Sequence, residues 1–252
     1  MVSLIRSALL LAAVASVALV GQASAECETI YVRREVRDLA DEEWRVFVEA
    51  VQKVMKTEKP QEADGQAMTI YDDLVKQHLD YQDKCHGTPI FLPWHRAFLK
   101  TFELELQKAV PGVVAPYWHW GFDSQAPHHS EVLSHKYYGG AGQGEQSCVP
   151  DTPFKDYKPT YTADGMPKCI CRQYDDNGNR IAPFSPIEEL ASIVENSPDF
   201  DDFSSRIEGN PHGLVHNGIG YGFSSMSSPS DPIFFAHHAF VDMLWAKFQE
   251  RE

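Results

Sequence analysis

The chain has 252 residues, of which 36 are acidic and 22 are basic, so its formal net charge is −14 with histidine neutral. This excess of carboxylates disfavours binding to nucleic acid or to an anionic membrane. Apolar residues make up 43% of the chain, with only 16 glycines and 16 prolines, a composition that excludes a disordered or low-complexity protein.

The N-terminus has the pattern of a secretory signal peptide. Arg6 precedes an apolar run over residues 8–20, and the small residues Ala23, Ser24 and Ala25 follow it. An uncleaved membrane anchor is the alternative, although the apolar run is short for a spanning helix. We therefore predict a signal peptide over residues 1–25 and a secreted, extracellular protein. Residues 26–252 contain no linker, charge block or internal repeat, and we predict one domain there.

Apolar spacing predicts several helices in the remaining chain. Asp41 is a cap residue before a helix whose apolar positions recur at three, four and seven residues. Further helices are predicted over residues 70–79, from Pro93 to the Pro111-Gly112 break, over 186–194 and over 210–218. Asp231 and Pro232 then begin a buried helix at the end of the sequence. Residues 116–185 are rich in aromatic residues, glycine and proline, which favours irregular loops.

Five cysteines are present, at positions 27, 85, 148, 169 and 171. Their irregular spacing disfavours a tetrahedral zinc site, and a secreted protein is exposed to oxidising conditions, so disulfides are expected. We predict that Cys27 pairs with Cys85. Cys148 is predicted to pair with either Cys169 or Cys171, and the sequence does not decide between them.

Six of the 11 histidines are predicted to lie on the inward faces of four helices: His78, His86, His95, His212, His216 and His238. His212 and His216 are four residues apart, so both imidazoles project from one side of a helix, as two ligands of one metal do. Imidazoles without a carboxylate or thiolate suit copper or zinc. The chain lacks the His-Glu-x-x-His motif of zinc hydrolases, which makes copper with dioxygen the better prediction.

Two long motifs resemble the tyrosinase and catechol oxidase branch of the type-3, binuclear copper proteins. The first runs over residues 86–103 and includes the sequence Leu92-Pro93-Trp94-His95-Arg96. The second runs over residues 231–242, from Asp231-Pro232 to Asp242, and is followed by Trp245. The pair His212 and His216, and His78 ahead of His86, complete the resemblance.

The resemblance implies a mainly α fold, with a four-helix bundle core that holds a binuclear copper site and long irregular loops around it. It implies that His78, His86 and His95 bind the first copper ion, and that His212, His216 and His238 bind the second. The family pattern leaves three residues between this last ligand and Asp242, which selects His238, and the apolar face of the helix agrees. His237 is then expected to lie behind the ligands or to be structural. Asp242, one turn beyond His238, is expected either to orient a ligand imidazole or to be an ordinary carboxylate on the helix surface.

The resemblance also implies an activity, the oxidation of o-diphenols to o-quinones with dioxygen as co-substrate. An acidic residue four positions before His212 would hold a water that accepts the phenol proton, and Glu208 stands there. Efficient hydroxylation of monophenols is associated in the family with asparagine directly after that histidine. Here the residue is Gly213, and Asn217 after His216 cannot be assumed to replace it, so weak monophenol hydroxylation is expected.

Three alternatives stay open at this point: a full tyrosinase, a hemocyanin-like dioxygen carrier, and a secreted metal-binding structural protein. Small phenols are the expected partners of an enzyme. Phe223 or Met226, in the loop before the last helix, is expected to cover the copper site. Relatives with a Cys-His thioether place the cysteine two residues before the histidine, whereas Cys85 directly precedes His86, so no thioether is expected.

Overall fold

Seven α-helices account for most of the regular structure in the computed structural model, which describes residues 30–60, 67–163, 165–177 and 179–251. They are α1 (Asp41–Val54), α2 (Ile70–Cys85), α3 (Phe91–Ala109), α4 (Ile187–Asn196), α5 (Phe200–Ile207), α6 (Gly213–Ile219) and α7 (Ile233–Arg251). Residues from Tyr31 onward form one unit of the chain. The predicted signal peptide and its boundary lie outside the described residues. None of the helices in the described ranges is long and apolar enough to cross a membrane.

Helix α2 begins with a reciprocal cap. Thr69 Oγ1 accepts a hydrogen bond from the Asp72 N–H, and Asp72 Oδ2 accepts one from the Thr69 N–H, both at 3.0 Å. The helix continues past the predicted end at Leu79 as far as Cys85. His86 then has an extended backbone (φ −119°, ψ 144°), so α2 stops immediately before a predicted ligand.

Helices α3 and α7 pack against each other at the centre of the fold. The rings of Phe102 and Phe235 stack with centroids 3.7 Å apart, and Phe98 contacts Phe235 at 5.5 Å. Each of these side chains is almost completely buried, and burial of one phenylalanine contributes roughly 1.5–3 kcal/mol. Helix α3 begins at Phe91, two residues before the predicted start, because Pro93 fits in a first turn whose N–H groups have no partner inside the helix.

The start of α7 is fixed by a buried ion pair. Both carboxylate oxygens of Asp231 accept hydrogen bonds from Arg172, at 2.6 and 3.0 Å, and Oδ1 also accepts one from the Ile233 N–H. Arg172 is completely buried and donates further hydrogen bonds to the carbonyls of Tyr138 and Gly139. The irregular segment before α4 is thereby joined to the helix that carries the last two histidines.

The segment between α3 and α4 contains short 3₁₀ turns and isolated bridges in its described residues, as the glycine and proline content predicted. A disulfide joins Cys148 to Cys169, with Cα atoms 5.8 Å apart, which confirms one of the two predicted pairings. Cys171 is a free, buried thiol. Cys85 is also a free, buried thiol, and Cys27, with which it was predicted to pair, lies outside the described residues.

The prediction of a mainly α fold is confirmed, and α2, α3, α6 and α7 surround the histidines. Sequence reasoning missed α5, although Asp199 gave a signal for it. Its side chain accepts a hydrogen bond from the Asp202 N–H at 2.9 Å, and Phe203 and Ile207 form the buried face. At eight residues, α5 offers too few repeats for a periodic pattern to stand out.

Candidate metal centre

Seven histidines form two clusters in the described part of the chain. His78, His86 and His95 make the first cluster, and His212, His216, His237 and His238 make the second. Within each cluster the imidazole nitrogens that could bind a metal lie within 4.8 Å of one another. All six predicted copper ligands belong to these clusters, and His237 is the seventh member.

The first cluster is built by α2, the residue after it, and α3. Ring centroids are 5.0 Å apart for His78 and His86, 5.1 Å for His86 and His95, and 5.6 Å for His78 and His95. The prediction that His86 lies on the inward face of a helix is wrong. His86 lies on the extended residue between α2 and α3, because the helix ends at Cys85.

The second cluster is built by α6, α7 and a wide turn before α6. Residues Glu208–His212 form one π-helical turn that contains Pro211, which has no N–H to donate. The turn brings His212 to within 4.6 Å of His216, measured between ring centroids. His216 Nε2 lies 3.4 Å from His238 Nε2.

The two clusters face each other across α3 and α7. The rings of His95 and His238 are stacked, with centroids 4.3 Å apart and an angle of 7° between their planes. Phe91 packs against His95 at 4.7 Å and against His212 at 4.9 Å. Two groups of imidazoles therefore converge on one apolar interior.

Five of the imidazoles are held by backbone carbonyls through Nδ1, at 2.7–3.1 Å: His78 by Met226, His86 by Gln82, His95 by Phe91, His212 by Glu208 and His216 by Phe223. A carbonyl can only accept a hydrogen bond, so Nδ1 must carry the proton. The Nε2 lone pair of each neutral ring is then available to a metal. Nε2 of His78, His95 and His212 is buried and has no hydrogen-bond partner among the described residues, as expected of an atom whose natural partner is a metal ion.

Burial keeps these imidazoles neutral. Desolvation is the largest cause of the shift for every member of both clusters, and it lowers the pKa of His78 to about 3 and that of His216 to about 4. Neighbouring histidines lower these pKa values further, and the backbone carbonyls raise them. Neutral imidazoles are the protonation state that binds copper, and nitrogen donors without carboxylate suit that metal. The residues present therefore fit a binuclear copper site.

His237 and His238 differ in the direction they face. His238 stacks on His95 of the first cluster and approaches His216 through Nε2, so it lies between the clusters. His237 packs within the second cluster, stacked on His212 at 5.2 Å and 4.9 Å from the His216 ring, and it lies 6.1 Å from the ring of Trp120. Both nitrogens of His237 are buried and have no hydrogen-bond partner among the described residues.

The prediction that Asp242 orients a ligand imidazole is wrong. Its carboxylate accepts hydrogen bonds from Arg33 and Arg96, and Nδ1 of His238 has no partner among the described residues. Arg33 also makes a bidentate pair with Glu103 at 2.8 Å. Asp242 therefore ties α7 to α3 and to the N-terminal segment instead of orienting an imidazole.

Glu208 lies at the protein surface, beside Gly87 and one turn before His212. Its Oε1 accepts a hydrogen bond of 2.6 Å from the N–H of Gly87, the residue after His86, while its own carbonyl holds His212. Desolvation raises the pKa of Glu208, and the bond from Gly87 opposes that shift. The carboxylate lines a cavity of about 310 Å³ together with Gly87, Thr88 and Asp201.

The remaining predicted residues lie around the second cluster. Gly213 has room for a side chain, since the nearest heavy atom to a Cβ placed there is 3.8 Å away. Asn217 is exposed. Phe223 is completely buried and stacks on His216 at 4.6 Å, whereas Met226 is 41% exposed. Sequence reasoning did not identify the carbonyls of these two residues, which hold one histidine of each cluster.

Comparisons with known proteins agree with this geometry. A family model described as the common central domain of tyrosinase matches residues 68–251. The chain is 31% identical over 242 residues to a tyrosinase of Streptomyces lincolnensis, covering 87% of this chain and 83% of that protein. It is also 31% identical to the tyrosinase-like protein phomQ2 of Diaporthe leptostromiformis, covering 90% of this chain and 60% of that longer protein.

Solved structures share the fold. A polyphenol oxidase from Thermothelomyces thermophila (mutant G292N) has a TM-score of 0.73 and 24% identity, covering 87% of this chain and 70% of that one. A functional unit of octopus hemocyanin has a TM-score of 0.56 and 22% identity, covering 88% and 53%. The helical core with two facing histidine clusters defines a type-3 copper protein. Within that class, the chain belongs to the tyrosinase family.

Proposed function

We propose that this protein is a secreted copper oxidase that uses dioxygen to oxidise o-diphenols to o-quinones and hydroxylates monophenols only weakly. The observation that carries this proposal is the pair of facing clusters, in which carbonyl-bound Nδ1 atoms leave the Nε2 lone pairs free. We assign His78, His86 and His95 to one copper ion and His212, His216 and His238 to the other.

Two bound copper ions would supply the electron transfer between substrate and dioxygen. In the overall reaction, two diphenols lose four electrons and four protons, and one dioxygen takes them up to give two waters. The protein places this chemistry in an apolar interior lined by Phe91 and Phe234, which are both completely buried. His86 and His216 are each partly exposed, so the ring of a substrate can approach from their side.

Glu208 is the proposed general base. Its carboxylate is half-buried beside Gly87, the residue after His86, and its raised pKa brings it nearer to the range useful for proton transfer. A monophenol must lose its hydroxyl proton before it is hydroxylated, so the water held by Glu208 must be oriented. Gly213 has no side chain to orient it, which supports diphenol oxidation over monophenol hydroxylation.

The test compares a monophenol with its matching diphenol on copper-loaded protein. Catechol should be converted to quinone with dioxygen uptake of one molecule per two diphenols, while phenol should react far more slowly. Metal-free protein is the control and should be inactive with both substrates. Equal rates with phenol and catechol, without a lag, would instead make the protein a full tyrosinase.

A dioxygen carrier is the second candidate, and the fold shared with the hemocyanin unit favours it. A carrier would bind dioxygen reversibly and leave catechol unchanged. Sustained dioxygen consumption with catechol therefore separates an oxidase from a carrier. A metal-binding structural protein would bind copper but would neither bind dioxygen reversibly nor consume it with catechol.

A further inference from the structure

Three cysteines meet beside the second histidine cluster. Cys148 is bonded to Cys169, and Cys171 lies directly opposite Cys148 in an antiparallel bridge, with a free thiol that is only 6% exposed. Two backbone bonds flank this pair, from Arg172 N–H to Ser147 O at 3.0 Å and from Val149 N–H to Ile170 O at 2.9 Å. Cys148 and Cys171 are thus a non-hydrogen-bonded pair, in which opposite Cα atoms approach to about 4.5 Å.

Both Cys169 and Cys171 are within reach of Cys148. Cys169 reaches Cys148 through the existing disulfide, and Cys171 stands directly opposite Cys148, where paired residues project to the same side of the two strands. The existing disulfide joins Cys148 to Cys169, which lies diagonally across the pair, two residues before Cys171, and their Cα atoms are 5.8 Å apart. Disulfides usually span Cα distances of about 4.4–6.8 Å, a range that includes the direct pairing with Cys171 as well.

The free thiol of Cys171 packs on the backbone that positions His216. A Cβ placed on Gly222 would lie 2.8 Å from Cys171 Sγ, so sulfur occupies the space beside this glycine. The next residue, Phe223, accepts the Nδ1–H of His216 through its carbonyl at 2.8 Å. On the other side of Cys171, Arg172 holds Asp231 at the start of α7, the helix that carries His238. Cys171 thus lies between two elements that build the second cluster.

We propose that these three cysteines form a disulfide switch with two states, bonded as Cys148–Cys169 or as Cys148–Cys171. The thiolate of Cys171 attacks Cys148 Sγ, the Cys148–Cys169 bond breaks, and Cys169 leaves as a thiolate that takes up a proton. The exchange is intramolecular and involves no net oxidation. In the second state Cys171 Sγ is drawn away from Gly222, the carbonyl that orients His216 shifts, and copper binds more weakly at the second cluster.

The copper effect rests on the function proposed above, whereas the exchange of disulfides does not. Burial raises the pKa of the Cys171 thiol to about 11, so the uncatalysed exchange is slow at neutral pH. A thiol–disulfide buffer is therefore needed to bring the two states to equilibrium.

The first experiment maps disulfides in the wild-type protein. Copper-free protein is equilibrated in a buffer of reduced and oxidised glutathione, free thiols are alkylated, and unreduced peptides are analysed by mass spectrometry. We expect peptides with Cys148–Cys169 and peptides with Cys148–Cys171. Finding only Cys148–Cys169, with Cys171 alkylated throughout, would overturn the proposal.

The second experiment uses a matched pair of variants, Cys169→Ser and Cys171→Ser. Cys169→Ser should form the Cys148–Cys171 bond, and Cys171→Ser should keep Cys148–Cys169. In competition with a copper chelator, Cys169→Ser should lose one of its copper ions at a chelator concentration about tenfold lower, the usual size of an effect on groups that orient ligands. Equal copper retention would refute the coupling to His216. Failure of the wild type to bind copper would count against the proposed function and leave the exchange standing.

Discussion

Glu208 accepts a hydrogen bond of 2.6 Å from the backbone N–H of Gly87, which joins the residue after His86 to the turn that ends at His212. The Glu208 carbonyl also holds His212 through Nδ1 at 3.1 Å. One residue thus fixes a histidine of the second cluster with its main chain and contacts the first cluster's loop with its side chain. This position allows Glu208 both to support the site and to accept a proton at its edge.

Gly213→Asn should raise the ratio of monophenol to diphenol activity by at least about tenfold, a part of the 100- to 10,000-fold that proton transfer commonly contributes. The open space around Gly213 accepts the side chain without displacing backbone. Initial rates with phenol and catechol give the ratio. Asn217→Ala, at an exposed position on the same helix, is the matched control and should leave the ratio unchanged. An unchanged ratio in Gly213→Asn would show that this glycine does not limit hydroxylation.

Glu208→Gln in the Gly213→Asn background should remove the gain in monophenol activity. Glutamine keeps an oxygen that can accept the Gly87 N–H but cannot take up the phenol proton, so the diphenol rate and copper content should change little. In the Gly213→Asn variant, monophenol activity should rise with pH as Glu208 ionises. This rise should vanish in the double variant that also carries Glu208→Gln. The pH profile is the deciding measurement, and an identical rise in both proteins would exclude Glu208 as the base.

Removing one charge of the buried ion pair between Arg172 and Asp231 should lower the free energy of unfolding. Asp231→Asn leaves Arg172 buried without its counter-ion, and we expect a loss of about 3–5 kcal/mol in the free energy of unfolding. Glu42→Gln is the control, because its pair with Arg45 is largely exposed and screened by water, so this change should leave the free energy of unfolding nearly unchanged. Urea unfolding measures the free energy of unfolding of both variants. If Asp231→Asn lost as little stability as Glu42→Gln, the pair between Arg172 and Asp231 would not anchor α7.

Metal-free protein should lose stability in weak acid. Burial lowers the pKa of His78 to about 3 and of His216 to about 4, while the unfolded chain protonates near 6.5. Below about pH 6.5 the unfolded state therefore binds more protons, and the free energy of unfolding falls as pH decreases towards the folded pKa values.

Urea unfolding of the metal-free protein at about pH 7 and pH 5 tests this expectation. His135→Ala, which removes an exposed histidine, should show the same loss between the two pH values as the parent. Equal stability of the metal-free parent at both values would mean that its imidazoles are not kept neutral by burial.

The sequence predicted the parts of the site that follow from local patterns. The i and i+4 spacing of His212 and His216, and the apolar face that carries His238, indicated three side chains that the structure brings together in one cluster. The prediction that Asp242 orients an imidazole was wrong because its carboxylate pairs with Arg33, which is 209 residues away in the chain. No local pattern reveals such a contact. The carbonyls that hold the imidazoles come from loops whose paths depend on tertiary packing. The π-helical turn at Pro211 and the extended backbone at His86 likewise depend on how α2, α3 and α5 meet.

The central claim is that six particular imidazoles bind two copper ions. Metal analysis of copper-loaded protein should give two copper ions per chain, with one lost in His95→Ala and one lost in His238→Ala. His237→Ala and His129→Ala should each keep two, since His237 is not among the six assigned ligands and His129 is exposed. Full retention of both copper ions in His95→Ala and His238→Ala would contradict the assignment.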